Sequence, residues 1–294
     1  LFQLTVTGGK GGTGKSFVAV NIAVLLAFKH DVVLADLDLE APNDHILLGI
    51  DKLGGEEPIK LFLPFIDPKK CTGCGVCAKI CDTGAILMPG KGLPVVFPRL
   101  CSGCMACYYA CPYKAIVKGY HVLGHVYTTR VELGEAKFTL VTGVLREGEE
   151  HTPPGVYYAK RKALSLAHDI LVIDTGAGTG NQVSIALKDS NLVIIVTEPT
   201  PLGLHDMEGI LKVARDMGLR SWLVINRDGI GDSSKHVEVA KTYGVEKIYR
   251  IPYHRDAIDS YVSRKPIILY KPDSIISRVF HEITNDLEKV IMSV

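Results

Sequence analysis

Two sets of residues in this chain have types and spacings that could do chemistry. The first is Thr7-Gly8-Gly9-Lys10-Gly11-Gly12-Thr13-Gly14-Lys15-Ser16. It contains a phosphate-binding loop: Gly9, four residues, Gly14, then Lys15 and Ser16. Glycines let a backbone wrap close to an anion without Cβ clashes. The free N–H groups where a helix begins then face phosphate oxygens, aided by the helix dipole. Lys15 would reach the β- and γ-phosphates, and the Ser16 hydroxyl would bind Mg²⁺. The second set is a pair of cysteine runs, Cys71-x2-Cys74-x2-Cys77-x3-Cys81 and Cys101-x2-Cys104-x2-Cys107-x3-Cys111, which hold all eight cysteines. A nucleotide-binding chain is expected in the cytosol, where thiols stay reduced, so dense cysteine argues for metal rather than disulfides. Two zinc sites of four thiolates fit the count but not the x2-x2-x3 rhythm.

The elements that must position these residues are legible around them. Phe2 to Val6 reads as a strand leading into the loop, and Phe17 to Phe28 as a buried helix leaving it. Asp31 to Asp36 reads as a second, parallel strand, ending in Asp36-Leu37-Asp38-Leu39-Glu40-Ala41-Pro42-Asn43. Acids at a strand's C-terminal end sit on the ligand edge of an open α/β sheet. Asp169 to Asp174 is a further apolar strand ending in an acid, followed by the glycine-rich Thr175 to Gly180. Leu192 to Val196, Trp222 to Arg227 and Tyr249 to Tyr253 continue the strand series, with a helix from Leu204 to Asp216.

Between these segments, residues 51–66 read as a linker, and Lys91 to Phe97 as the joint between the two cysteine runs. His121 to Val131 and Ala136 to Leu145 alternate like two strands turning at Gly134-Glu135. His121 and His125 could share a strand face, but no third ligand is near in sequence, so they are expected to be ordinary strand positions. Arg146 to Gly155 reads as a polar, proline-rich surface loop, and Tyr157 to Ala167 as a helix. Ile276, Phe280, Ile283, Leu287, Val290 and Val294 recur at helical spacing.

The chain has 294 residues, 47% apolar and 22% charged, enough for one large α/β domain plus something small. A net charge of +1 with no basic run argues against a nucleic-acid surface. No apolar segment is long and uncharged enough to span a bilayer, and the first strand runs straight into the phosphate loop without a signal peptide. A cytoplasmic location is therefore expected.

The order Gly-Lys-Gly-Gly-Thr-Gly-Lys-Ser, with the early Lys10, is the deviant form of the loop. Here the chain resembles the MinD/ParA/Mrp superfamily, which also holds the nitrogenase iron protein. The resemblance implies a doubly wound, mostly parallel-sheet α/β P-loop NTPase that binds ATP or ADP with Mg²⁺. It also implies a homodimer in the ATP state, with Lys10 crossing to the partner's nucleotide. Asp38 would orient or activate the attacking water within switch I, and Asp36 would support the waters around Mg²⁺. Asp174, in the Walker B position, would bind Mg²⁺ through a water. Gly176 and Gly178 of switch II would let the backbone approach the γ-phosphate. Asn226 would read the adenine edge. Gly9, Gly11, Gly12, Thr13, Gly14, Phe17, Arg227 and Pro252 would complete the nucleotide site. Some MinD relatives end in a membrane-binding helix, but here Glu282, Asp286 and Glu288 outnumber Arg278 and Lys289. The C-terminal helix is therefore expected to pack on the sheet.

The cysteine runs form an internal repeat offset by thirty positions, in which Gly73 matches Gly103 and Ala85-Ile86 matches Ala115-Ile116. They resemble a bacterial-type ferredoxin carrying two [4Fe–4S] clusters. The resemblance implies one cluster on Cys71, Cys74, Cys77 and Cys111, and a second on Cys101, Cys104, Cys107 and Cys81. One departure is Asp82, where the usual proline follows the fourth cysteine, although Pro112 is present. It puts the local turn or the potential of the second cluster in doubt. The expected organisation is a first ATPase part over 1–66, an inserted small α+β ferredoxin domain over 67–119, and a second ATPase part over 120–294.

The expected function is an ATP-hydrolysing iron–sulfur protein that couples dimer and switch changes to electron transfer toward a redox partner. One alternative is an Mrp-type ATPase that hands a cluster to an iron–sulfur acceptor; another is a non-redox positioning or regulatory switch. No cysteine stands outside the two runs, so a transferable cluster bridging two ATPase domains would have no thiolate ligands. That favours the electron relay.

Overall fold

The strands of the central layer are apolar at consecutive positions, so both of their faces must be covered. In the computed structural model, which describes all residues except Lys91, Ala167, His168 and Val294, that covering comes from helices on each side. The strands are β1 (Phe2–Thr7), β2 (Val32–Leu37), β3 (Glu57–Ile66), β4 (Ile86–Leu87), β5 (Val95–Val96), β6 (Ile116–Leu133), β7 (Ala136–Leu145), β8 (Ile170–Thr175), β9 (Leu192–Thr197), β10 (Ser221–Asp228) and β11 (Lys247–Pro252). The helices are α1 (Lys15–Leu26), α2 (Asp44–Leu47), α3 (Val76–Ile80), α4 (Ala106–Ala110), α5 (Thr152–Leu164), α6 (Asn181–Leu187), α7 (Pro201–Asp216), α8 (Ser234–Thr242), α9 (Arg255–Val262), α10 (Ile267–Tyr270) and α11 (Ile275–Ile291).

Nine strands form one sheet in the order β11-β10-β9-β1-β8-β2-β7-β6-β3. All its neighbours pair in parallel except those of β6, which runs against both β3 and β7. Alternation along each strand divides the core. Val32, Leu34, Ile170, Val172, Trp222 and Val224 join the side packed by α1 and α11. Val33, Ala35, Leu171 and Ile173 face the α5 side, and Leu223 and Ile225 the α7 side. This is the doubly wound, mostly parallel sheet that the family resemblance implies.

The C-terminal helix lies on this core. Ile276, Phe280, Ile283 and Leu287 of α11 are fully buried, and Phe280 meets Phe17 edge-on at 5.5 Å between ring centroids. Burying a phenylalanine of this kind contributes about 1.5–3 kcal/mol. Among the described residues no helix is long and apolar enough to cross a membrane.

Three sequence expectations need correction. Residues 51–66 are not all linker: Glu57–Ile66 is strand β3, paired to β6 along its length. Pro58 and Pro64 conceal it, yet β3 is the outermost strand, where a missing N–H is tolerated. The loop expected over Arg146 to Gly155 ends early, because α5 already begins at Thr152 with prolines in its first turn. Proline there forfeits only an N–H that has no intrahelical acceptor. That helix ends at Leu164, and Ala167, expected to close it, lies outside the described residues, as do Lys91 of the joint and Val294 of the C-terminal pattern. Finally, β6 begins at Ile116 rather than at His121, so it runs through the expected domain boundary at 119.

The length of β6 has a consequence for placement. Its pairing with β7 stops at Gly124–Leu145, while its pairing with β3 continues to Ile66–Ile116. Residues 60–66 and 116–123 therefore form a two-stranded ribbon beyond β7. At about 3.4 Å per residue, the ribbon extends roughly 25 Å past the sheet. Because β7 is parallel to β2, the ribbon leaves from the edge where β2 ends. Residues 67–115, with all the cysteines, sit at its tip.

Candidate nucleotide site and cysteine lobe

Parallel strands deliver their C-terminal ends to one edge of the sheet. β1 opens into the glycine loop, β2 into Asp38, β8 into Gly176, β9 into Glu198, β10 ends in Asn226-Arg227-Asp228, and β11 ends at Pro252. The loop wraps with Gly12 at φ 79° and Gly14 at φ 95°, a left-handed backbone that side chains resist. A Cβ on Gly14 would also lie 2.2 Å from the Asn226 amide nitrogen. Helix α1 follows with no side-chain cap and no acid in its first turn, leaving its N–H groups for an anion. A cavity of about 510 Å³ opens there, lined by Gly11, Gly12, Gly14, Lys15, Ser16, Phe17, Asp38, Asn226, Arg227 and Pro252 among others. Gly11 and Gly12 have nothing within 4 Å of where a Cβ would stand, so the cradle has room for a ligand.

Not every expected residue lines that cavity. Gly9 backs onto Asp206 of α7. Thr13 is buried beneath the loop, where its carbonyl accepts from Asn226 Nδ2 at 2.8 Å. Asn226 Oδ1 accepts the backbone N–H of Arg227 at 2.9 Å, so the side chain assigned to base recognition braces the phosphate loop. One amide hydrogen and one lone pair stay uncommitted. Lys15 Nζ donates to the Lys10 carbonyl at 3.2 Å. Gly178 N donates to Gly8 O at 3.3 Å, tying the segment after β8 to the loop. A Cβ on Gly176 would lie 3.4 Å from Asp38 Oδ1, so the two switch segments meet there.

Behind the cavity lie carboxylates. Ser16 Oγ donates to Asp174 Oδ2 at 2.5 Å. Asp36 accepts three backbone N–H groups, from Asp38, Asn43 and Asp44, and so shapes the turn after β2. Asp44, which sequence reasoning missed, stands with Asp36 and Asp174 in one group, with one oxygen from each within 4.8 Å of the other two. All three are fully buried. Burial pushes the Asp174 carboxyl up to about 7, against the Ser16 hydrogen bond and the Lys15 charge. Burial, reinforced by neighbouring carboxylates, raises Asp36 and Asp44 well above the usual range. Burial likewise raises Asp38, against the opposing charge of Lys15. Ser16 and Asp174 offer oxygen ligands suited to Mg²⁺, and a cation there would favour the ionised carboxylates that burial alone disfavours.

Glu198 is a second residue the sequence reading missed, although an acid at the end of an apolar strand is the signal used for Asp174. Its carboxylate accepts from Lys10 Nζ at 2.5 Å and from Arg227 Nη1 at 2.9 Å. Burial opposes ionisation of Glu198, but these two cations hold its carboxyl below the usual range.

The cysteine lobe repeats its backbone as well as its sequence. Gly73 and Gly103 have φ of 71° and 72°, Gly75 and Met105 of 76° and 64°, and Gly84 and Lys114 of 67° and 49°. Helices α3 and α4 occupy equivalent places, each containing the third cysteine of its run, Cys77 and Cys107, and Phe62 of β3 packs with Cys77, Cys107, Ile86 and Ile116. Cys71, Cys74, Cys77 and Cys111 line one small cavity, which brings the last cysteine of the second run to the first three of the first. Burial pushes the Cys107 thiol up to about 11, helped by the neighbouring Cys101, Cys104 and Cys77. Cys101 is raised by burial and by Cys81 and Cys104 beside it. Cys81 instead lies below the ordinary value, because the Thr83 hydroxyl and backbone N–H groups outweigh its burial. All eight thiols are free. Convergent soft donors that repel one another as thiolates suit a cationic iron–sulfur or zinc centre.

Contacts tie lobe to site. Leu145 N donates to Leu39 O at 2.9 Å, and Thr152 Oγ1 donates to Glu40 Oε1 at 2.7 Å, both on the segment that carries Asp38. The loop between them puts Glu149 against His121 of the ribbon at 2.6 Å and against His151 at 2.5 Å. Arg146 N donates to Leu123 O of the ribbon at 2.8 Å. His125 stands apart, 3.6 Å from Glu56.

Residues 4–267 match the family model described as the CobQ/CobB/MinD/ParA nucleotide binding domain. An uncharacterised protein of Methanocaldococcus jannaschii is 31% identical over 267 residues, covering 91% of each chain. An iron–sulfur cluster carrier protein of Pyrococcus horikoshii is 44% identical over 52 residues, 17% of this chain and 18% of that one. The septum site-determining protein MinD of Pyrococcus horikoshii, solved with Mg-ADP, superposes with a TM-score of 0.60 at 19% identity, covering 98% of this chain and 96% of that one.

Proposed function

Because the chain belongs to the CobQ/CobB/MinD/ParA nucleotide-binding family, we propose that it is a dimerising, ATP-hydrolysing iron–sulfur protein whose nucleotide state sets the posture of a two-cluster ferredoxin lobe for electron transfer to a redox protein. The observation that carries this reading is the pair of contacts Thr152–Glu40 and Glu149–His121, which join the Asp38 segment to the ribbon bearing the cysteines.

Each residue then has a task. Lys15 and the N–H groups at the start of α1 bind the phosphates, with Ser16 and Asp174 holding Mg²⁺. Asp38 holds and orients the attacking water; burial raises its carboxyl, which suits a proton acceptor working nearer neutrality. Lys10 leaves Glu198 to reach the nucleotide of a second copy. The uncommitted amide hydrogen and lone pair of Asn226 read the base, beside Arg227 and Pro252. When Gly176 and Gly178 shift, Asp38 shifts with them, and Thr152 passes the displacement along the 146–151 loop to β6. Cys71, Cys74, Cys77 and Cys111 hold one [4Fe–4S] cluster, and Cys81, Cys101, Cys104 and Cys107 the other. Such clusters supply one-electron transfer when bound. A cytoplasmic setting fits the reduced thiols.

The carrier alternative draws on the short match to an iron–sulfur cluster carrier protein. An anaerobic pull-down with Asp38→Asn protein and ATP separates the readings. Capture of a redox enzyme, with iron retained on this chain, supports the relay. Capture of an apo iron–sulfur acceptor that gains iron supports the carrier and defeats the relay.

A further inference from the structure

The three carboxylates behind the phosphate loop differ in how they are satisfied. Both oxygens of Asp36 are taken by backbone N–H groups. One oxygen of Asp174 is taken by Ser16. The other Asp174 oxygen and both oxygens of Asp44 have no hydrogen-bond partner, although all are buried. One oxygen from each of Asp36, Asp44 and Asp174 lies within 4.8 Å of the other two. Among the described residues no side-chain cation is bonded to these oxygens, and Lys15 donates to the Lys10 carbonyl instead. Buried polar atoms in folded proteins find partners, and open carboxylate oxygens converging at one place suit a hard divalent ion. Holding the metal of a bound nucleotide calls on Ser16, Asp174 and, through water, Asp36, so that role leaves Asp44 unexplained.

We propose that Asp44, with Asp174 and Asp36, forms a divalent-cation site that fills in the absence of nucleotide. Asp44 is the ligand that distinguishes this site from a phosphate loop that acquires its metal only together with ATP. The ion would bind before the nucleotide and hold the turn after β2, which Asp36 anchors from inside. The inference stands on the carboxylates alone and is independent of the redox reading of the lobe.

The test is a Mn²⁺ titration of the full-length protein, purified anaerobically and stripped of nucleotide, with the free ion followed by electron paramagnetic resonance. The wild type should remove one equivalent of Mn²⁺, and Asp44→Asn should bind it at least about tenfold more weakly. Mn²⁺ should also raise the unfolding temperature reported by Trp222 fluorescence in the wild type and not in the variant. Without metal, the variant should unfold no earlier than the wild type, because it loses a buried acid. Wild-type protein that leaves free Mn²⁺ undiminished at millimolar ion overturns the site. So does equal binding by the two proteins. Should Asp44→Asn not fold, the wild-type titration still tests the site, since free Mn²⁺ left undiminished overturns it without any variant.

Discussion

Lys10 Nζ lies 2.5 Å from Glu198 Oε1, inside its own chain, while Arg227 holds the other oxygen of the same carboxylate. A lysine proposed to cross to a partner's nucleotide is thus restrained at home by a largely buried acid. Charge-assisted hydrogen bonds contribute about 1.5–3 kcal/mol. Glu198→Gln should free Lys10 and tighten ATP-dependent self-association by about tenfold, and Lys10→Ala should abolish that association. Sedimentation with and without ATP measures both. Unchanged self-association in Glu198→Gln would remove the restraint from the account.

Asp38 borders the cavity and stands against Gly176, but among the described residues it makes no hydrogen bond to the phosphate loop. Asp38→Asn should therefore bind ATP as the wild type does, while hydrolysis falls by about 10²–10⁴-fold. Phosphate release and fluorescent-nucleotide binding, measured on the same sample, separate the two effects. Loss of binding in parallel with turnover would assign Asp38 to the cradle instead.

The joint between site and lobe can be cut without touching either. Thr152→Val removes the bond to Glu40, and Glu149→Gln removes the charge between His121 and His151. Hydrogen exchange across residues 67–115 should respond to ATP in the wild type and lose that response in the double variant, with hydrolysis retained. A response that survives would mean the two halves communicate elsewhere.

Cys111, the last cysteine of the second run, lines one cavity with Cys71, Cys74 and Cys77 of the first. Cys111→Ser should lower iron content by about half, and Cys81→Ser by about the other half. Iron and sulfide analysis with spectroscopy of the remaining centre checks this. Zinc at two equivalents in anaerobic wild-type protein would replace the cluster assignment altogether.

Lys160 of α5 donates to the carbonyls of Ile185, Ala186 and Lys188 at the end of α6. Burial pulls its ammonium down to about 8 from 10.5. In the unfolded chain the proton is kept to the higher pH, so folding stability rises between those two values. Urea unfolding followed at Trp222 should show the wild type gaining on Lys160→Met between about pH 8 and about pH 10. A constant difference would mean that the folded chain does not lower the lysine.

The phosphate loop and the cysteine runs were legible because each is a contiguous stretch whose backbone needs and ligand spacing are set within a few residues. The apolar strands ending in acids were legible for a similar reason, and they carried the doubly wound sheet with them. The register that makes β3 an edge strand was hidden, since Pro58 and Pro64 obscure a strand whose tolerance of proline depends on having a neighbour on one side only. The start of α5 was hidden by prolines that a helix accepts only in its first turn. Asp44, Glu198 and Glu149 acquired their meaning from partners brought in by the fold: Asp174 for the first, Lys10 and Arg227 for the second, His121 for the third. A sequence determines what each local segment can bind; whether a carboxylate ends up in water, against a lysine or buried beside two others depends on long-range packing, and only the tertiary structure decided that.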